Sequence, residues 1–198
     1  MKAVFLDCET TGLKPGQITQ LSYLVVENGQ LIKRVNQYLS VDSIEADAAR
    51  LTGLTKERLD QLSFGTKFFD RSHEFYNDLF GAAIVAHNAP FDVKFLTHEF
   101  KNCNMLFNPI SIVDTMRIFK DIVKVPYSWK RAGYKNPKLE EVLQYFSIKT
   151  GEVENSAKKV FGNFDLQAHD ARYDATALVM IAVRCKGYDI DLGLGEAV

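Results

Sequence analysis

Apolar and polar positions follow two different rhythms along this chain. Near the amino terminus Ala3-Val4-Phe5-Leu6 reads as a strand that ends in the acidic residues Asp7 and Glu9. Side chains two apart on a strand share a face, so these two carboxylates can act together. Thr10 to Gly16 is turn chemistry. Ile18–Glu27 reads as a second strand, and the short link before it predicts an antiparallel pair. Asn28-Gly29 accepts the positive φ angles of a tight primed turn, which predicts a hairpin into Leu31–Leu39.

From Ser43 onward helical spacing enters. Ser43–Leu59 gives two short helical pieces interrupted at Gly53, and Lys67–Phe80 repeats Phe68, Phe69, Phe75, Tyr76, Leu79 and Phe80 as an amphipathic helix does. Ala83–Ala86 reads as a buried strand, Pro90–Phe100 as a helix with Pro in its first turn, Ile110–Asp114 as a strand and Met116–Ile122 as a helix. Leu139–Phe146 and Ala171–Arg184 complete the set as helices, the latter capped by Asp170. An antiparallel hairpin unit followed by alternating strand and helix predicts an α/β fold. Its centre is a mixed five-stranded sheet, three antiparallel strands then two parallel, with helices on both faces.

Composition narrows the possibilities. At 198 residues and 46% hydrophobic, the chain fits one domain spanning 1–198. With 24 basic against 25 acidic residues and a formal charge of −1, it carries no global field to attract polyanions. Contact with nucleic acid would have to rest on a local patch or on bound metal. Three cysteines, Cys8, Cys103 and Cys185, are an odd number without paired spacing, which argues against a disulfide framework and against a cysteine-rich zinc site. The absence of a signal-type segment and of any apolar run long enough to cross a bilayer makes a soluble, cytoplasmic protein without membrane contact the expectation.

The chemistry is concentrated in three places. Asp7-Cys8-Glu9-Thr10-Thr11-Gly12-Leu13 joins a carboxyl pair to a turn whose backbone N–H groups and hydroxyls suit a phosphate or a terminal sugar. On its own the pair could be a solvated strand end and Leu13 a core residue. His87-Asn88-Ala89-Pro90-Phe91-Asp92 lies where a buried strand gives way to a helix, a usual ligand position in α/β sheets. There Asn88 also reads as a helix cap, with Asp92 in the first turn where the macrodipole favours a carboxylate. In His169-Asp170-Ala171-Arg172-Tyr173-Asp174, a cap at Asp170 puts Asp174 one turn into the helix and leaves His169 on the approach to it. A histidine beside carboxylates can take a proton from water near neutral pH.

Together these segments resemble the DEDDh exonucleases of the ribonuclease-H-like fold, and are most similar to the DnaQ-like proofreading epsilon subunits of bacterial replicative DNA polymerases. The likeness rests on Asp7–Leu13, His87–Asp92 and His169–Asp174 in matching order and spacing, supported by Leu51-Thr52-Gly53-Leu54-Thr55 and Val113-Asp114-Thr115. Three ordered motifs are far more specific than one. The resemblance implies that Asp7, Glu9 and Asp174 ligate one divalent metal ion, that Asp7 bridges to a second held by Asp92, and that His169 is the general base. It further implies that Thr10, Thr11, Gly12 and Leu13 seat the 3′-terminal nucleotide while His87, Asn88 and Phe91 line the pocket. Oxygen ligands favour Mg²⁺ or Mn²⁺, two ions per site, over zinc. The activity implied is removal of nucleotides from the 3′ end of a single strand, DNA favoured, with release of 5′-monophosphates.

The same residues suit rival activities. Trimming of RNA 3′ ends, as in ribonuclease T-like enzymes, keeps the same site, and nothing identified reads a 2′-hydroxyl. A non-catalytic nucleic-acid-binding module would more often have lost one of the five residues. A DNA polymerase or another replication or repair protein is the partner the resemblance implies. Against it, only Gly187–Val198 follows the last helix, which favours a free-standing nuclease. Between Lys120 and Lys138 the basic residues Lys124, Lys130, Arg131 and Lys135 interleave with Tyr127, Trp129 and Tyr134. That composition suits a surface on which bases stack and phosphates pair, or a solvated loop.

Overall fold

A computed structural model describes residues 1–128, 132–162, 169–186 and 192. The strands are β1 (Lys2–Thr10), β2 (Ile18–Glu27), β3 (Gln30–Tyr38), β4 (Ala83–Ala86) and β5 (Ser111–Asp114). They form one sheet in the order β3-β2-β1-β4-β5. β1, β2 and β3 pair antiparallel, whereas β4 runs parallel to β1 and β5 parallel to β4. This is the mixed sheet that the hydrophobic pattern predicts. At the hairpin, Asn28 and Gly29 take φ of 51° and 77°, as a primed turn demands.

The helices are α1 (Ala46–Thr52), α2 (Lys56–Ser63), α3 (Phe68–Leu79), α4 (Ala89–Asn102), α5 (Thr115–Val123), α6 (Leu139–Tyr145), α7 (Thr150–Phe161) and α8 (Ala171–Cys185). Alternation along β1 divides the core. Val4, Leu6 and Cys8 face a cluster with Phe68, Phe75 and Leu79 of α3 and Phe95, Leu96 and Phe100 of α4. Ala3 and Phe5 face the other cluster, with Ala177, Leu178, Ile181 and Ala182 of α8 and Val142 and Leu143 of α6. Rings dominate the first cluster: Phe68 meets Phe100 edge to face at 5.1 Å, and Tyr23 meets Phe75 at 6.3 Å.

α7 has no counterpart in the pattern-based reading. It contributes only Val153 and Ala157 as buried residues, and Glu152 starts it by accepting the backbone N–H of Lys149 at 2.8 Å. Asp170 caps α8 as expected, accepting from Arg172 N at 3.0 Å. Asn88 stands at the cap position of α4 but does not cap it. Its backbone is left-handed (φ 68°), its side chain makes no cap bond, and Asp114 Oδ1 accepts from Asn88 N at 3.0 Å instead. The same oxygen accepts from Met116 N, so one carboxylate serves the starts of both α4 and α5. Among the described residues all three cysteines are free, and no helix is long and apolar enough to cross a membrane.

Candidate active site

The site forms where β1 outruns β4. Pairing between these strands ends at Phe5 with Val85, and β4 itself stops at Ala86. Asp7 and Glu9 continue the face of Ala3 and Phe5, which α8 covers, and the half-buried Asp174 in the first turn of α8 acts on both of them. Asp92 comes from α4 on the opposite face. It reaches the group because the N–H of Cys8, the residue between the two strand carboxylates, donates to Asp92 Oδ1 at 3.0 Å. Three motifs distant in sequence thus place four carboxylates around one strand end.

Electrostatics register that convergence. Burial, then the charges of Asp174, Asp92 and Glu9, push the Asp7 carboxyl well above the usual carboxylate range. Glu9 is driven to about 8 by burial first and then by Asp174 and Asp92. Burial likewise raises Asp92, only 2% exposed, to about 7, against the opposing hydrogen bonds from Cys8. Asp174 also rises to about 7, through burial and then the nearby Glu140 and Asp170. Among the described residues, the charges that act most on Asp7 and Glu9 are acidic. Among the described residues, no three His, Cys, Asp or Glu side chains are already gathered to hold a metal ion. The donor set is nevertheless one of oxygens alone with excess negative charge, which fits hard divalent cations.

The remaining expected residues divide into two groups. The turn after β1 is tightly made: Thr10 Oγ1 donates to Gly12 O at 2.8 Å, Thr11 N to Gln17 O at 3.0 Å and Glu45 N to Thr11 O at 2.9 Å. A Cβ at Gly12 would meet the Glu45 carboxyl, the end of an exposed side chain that can swing aside. Leu13 stands 80% exposed at the end of this turn. Phe91 lies against Phe95 with ring centroids 4.9 Å apart. His87 is otherwise engaged, with Nδ1 3.0 Å from Thr115 Oγ1 and Nε2 3.0 Å from Pro137 O. The carbonyl must accept, so Nε2 carries the proton. Burial lowers the imidazole pKa, and His87 ties the segment before α6 to the end of β4.

His169 precedes the α8 cap with a left-handed backbone (φ 55°) and an exposed side chain, and among the described residues its ring has no hydrogen-bond partner. In the basic aromatic segment, Pro126 bridges to Tyr134 and Lys135 pairs with Glu141 at 2.6 Å. Trp129, Lys130 and Arg131 lie outside the described residues. Sequence reasoning missed Arg172. It holds the cap Asp170 in a buried ion pair at 2.5 Å and so offsets an acid that otherwise adds to the charge on Asp7, Glu9 and Asp174. The spacing from Asp170 to Arg172 was visible, but a basic residue in a first helical turn carries no sign that it points back to its cap.

The RNase T exonuclease family model matches residues 4–182 of this chain. The chain belongs to the exonuclease family. The chain is 32% identical over 145 residues to the 3′-5′ exonuclease DinG of Bacillus subtilis, a match that covers 71% of the chain and 15% of the longer relative. In structure it resembles E. coli exonuclease I in complex with a dA16 oligonucleotide. That likeness has a TM-score of 0.65 and 18% identity, and covers 94% of this chain and 41% of that one. Exonuclease X in complex with 5′ overhanging duplex DNA superposes with a TM-score of 0.60 and 18% identity, covering 98% and 96% of the two chains. At such identities the structural likeness speaks for the fold.

Proposed function

We propose that this exonuclease is a metal-dependent enzyme that removes nucleotides one at a time from the 3′ end of single-stranded nucleic acid, DNA in preference to RNA. The observation that carries the reading is that Asp174, Asp92 and Glu9 all raise the proton affinity of Asp7, and Asp174 and Asp92 that of Glu9, at the end of β1. The relatives named above supply direction and substrate: one carries the name 3′-5′ exonuclease, and the two solved structures hold DNA.

Asp7, Glu9 and Asp174 would hold one Mg²⁺ or Mn²⁺ ion, and Asp92 with Asp7 a second. Such a pair of ions lowers the pKa of a bound water and offsets the charge of the attacked phosphate. The chain's own part is positional. Thr10, Thr11 and Gly12 present backbone and hydroxyl groups to the terminal sugar, Leu13 meets the terminal base, and Phe91 borders it from α4. The His169 imidazole takes the proton of the attacking water. Water adds to phosphorus, the bond to the 3′-oxygen of the preceding nucleotide breaks, that oxygen takes a proton from solvent to leave a 3′-hydroxyl on the shortened strand, and a nucleoside 5′-monophosphate departs.

Digestion of single-stranded DNA and RNA of one sequence, labelled at the 5′ end, tests this with Mg²⁺, with Mn²⁺ and with chelator. A ladder shortening from the 3′ end, faster on DNA and absent with chelator or in Asp7→Ala, is expected. Internal cuts, or activity that survives chelation, would overturn the reading.

A further inference from the structure

Lys94 took no part in the motif-based reading, yet it reaches directly into the nucleotide turn. Its Nζ donates to Leu13 O at 2.8 Å, joining residues 81 positions apart. The ammonium lies 5.2 Å from the ring centroids of both Phe91 and Phe95. An exposed lysine loses rotamer freedom when held in one geometry, and two aromatic faces compensate for that loss here. The rest of the turn is pinned by Thr10 Oγ1 on Gly12 O, by Thr11 N on Gln17 O and by Glu45 N on Thr11 O. Lys94 supplies the hydrogen bond at the Leu13 end.

We propose that Lys94 is a positioning residue for the 3′-terminal nucleotide. By tying the Leu13 carbonyl to α4, it holds the leucine side chain out in water and at a fixed offset from Phe91 and Asp92 on the same helix. Leu13 is 80% exposed at the end of a turn held by hydrogen bonds on every side, which leaves its apolar side chain free to pack on a terminal base. The proposal rests on the exonuclease reading and adds to it a residue that acts through Leu13.

Lys94→Met keeps an apolar stem against the two rings and removes the donor and the charge, whereas Lys94→Arg keeps both. Steady-state kinetics compare two single-stranded DNA oligonucleotides, one with an ordinary 3′-terminal base and one with an abasic 3′ residue. Lys94→Met is expected to raise KM about three- to tenfold on the first, the range of one such hydrogen bond. The loss should fall in KM rather than kcat, be much smaller on the abasic end, and be recovered largely by Lys94→Arg. An equal rise on both substrates would make Lys94 a phosphate contact and overturn the proposal, as would no change at all. Should Lys94→Met fail to fold by its melting curve, Lys94→Leu, which also lacks donor and charge, takes its place in the same comparison. A wild-type chain that releases no nucleotide from either oligonucleotide overturns the exonuclease reading and this proposal with it. An active wild type indifferent to Lys94 overturns the proposal alone.

Discussion

Asp92 shows how one backbone bond sets the site. Its carboxylate is buried, accepts the Cys8 N–H, and shares the strand end with Asp7 and Glu9. Asp92→Asn keeps an oxygen for that N–H but removes the charge. The metal-free variant should therefore melt at or above the wild-type temperature while exonuclease activity is lost; a variant that unfolds would instead make the carboxylate structural. His169→Ala should behave differently from the acids, because the base is only one contribution to rate. Removing it should cost roughly 10²- to 10⁴-fold in kcat, against complete loss in Asp7→Ala and Asp174→Ala. Equal residual activity in all three, measured on one labelled strand, would deny His169 its separate role. The acids were legible in the sequence because strand alternation and helical spacing assign faces. The bonds from Lys94 to Leu13 and from Asp114 to Asn88 were not, since side-chain contacts between elements 81 and 26 residues apart leave no periodic trace.

Among the elements, those with a strong apolar rhythm were readable and those without were not. β1, β2 and α3 carry the core in unbroken or evenly spaced positions. α7 buries just two of its residues and depends on its neighbours for stability, so its pattern is faint. α8 was foreseen as a helix, but its first turn is held by more than a cap. Arg172 and Asp170 are both buried, Gln20 Nε2 donates to Asp170 Oδ1 at 3.2 Å, and Arg172 also reaches Tyr38. Arg172→Ala leaves Asp170 without its cation beside Asp7, Glu9 and Asp174 and should destabilise the fold by about 3–5 kcal/mol, as loss of one partner in a buried pair does. Denaturant unfolding of the metal-free protein measures it; a loss below about 1 kcal/mol would place this pair with surface ion pairs. β2 offers the opposite experiment. Thr19 is fully buried, and its hydroxyl has no partner among the described residues. Thr19→Val fills the same volume without the orphan and should be neutral or stabilising, up to about 1–3 kcal/mol.

Across the whole molecule the acids make stability and metal binding oppose one another in pH. Glu9 rises from 4.5 to about 8, Asp92 and Asp174 from 3.8 to about 7, and Glu99 from 4.5 to about 7. Glu99 lies outside the site, only 7% exposed, where burial outweighs its hydrogen bond from Ile18 N. All four hold a proton more tightly folded than unfolded. Their contribution is therefore fully present below the unfolded values near 4 and is lost as pH climbs through 7 to 8. The metal-free protein should melt lower at pH 8 than at pH 5. With about 1.4 kcal/mol per pKa unit and about 2–4 °C per kcal/mol for a chain of this size, even one unit amounts to a few degrees. Cations reverse the sign at the site, because they bind the deprotonated carboxylates and stabilise the native state by mass action. Mg²⁺ should raise the melting temperature more at pH 8 than at pH 6, while the part due to Glu99 stays lost at either magnesium concentration. Melting curves across this range, with Mg²⁺ and with chelator, measure both. A rise from Mg²⁺ that does not grow with pH would mean that the ion binds somewhere other than among these four carboxylates.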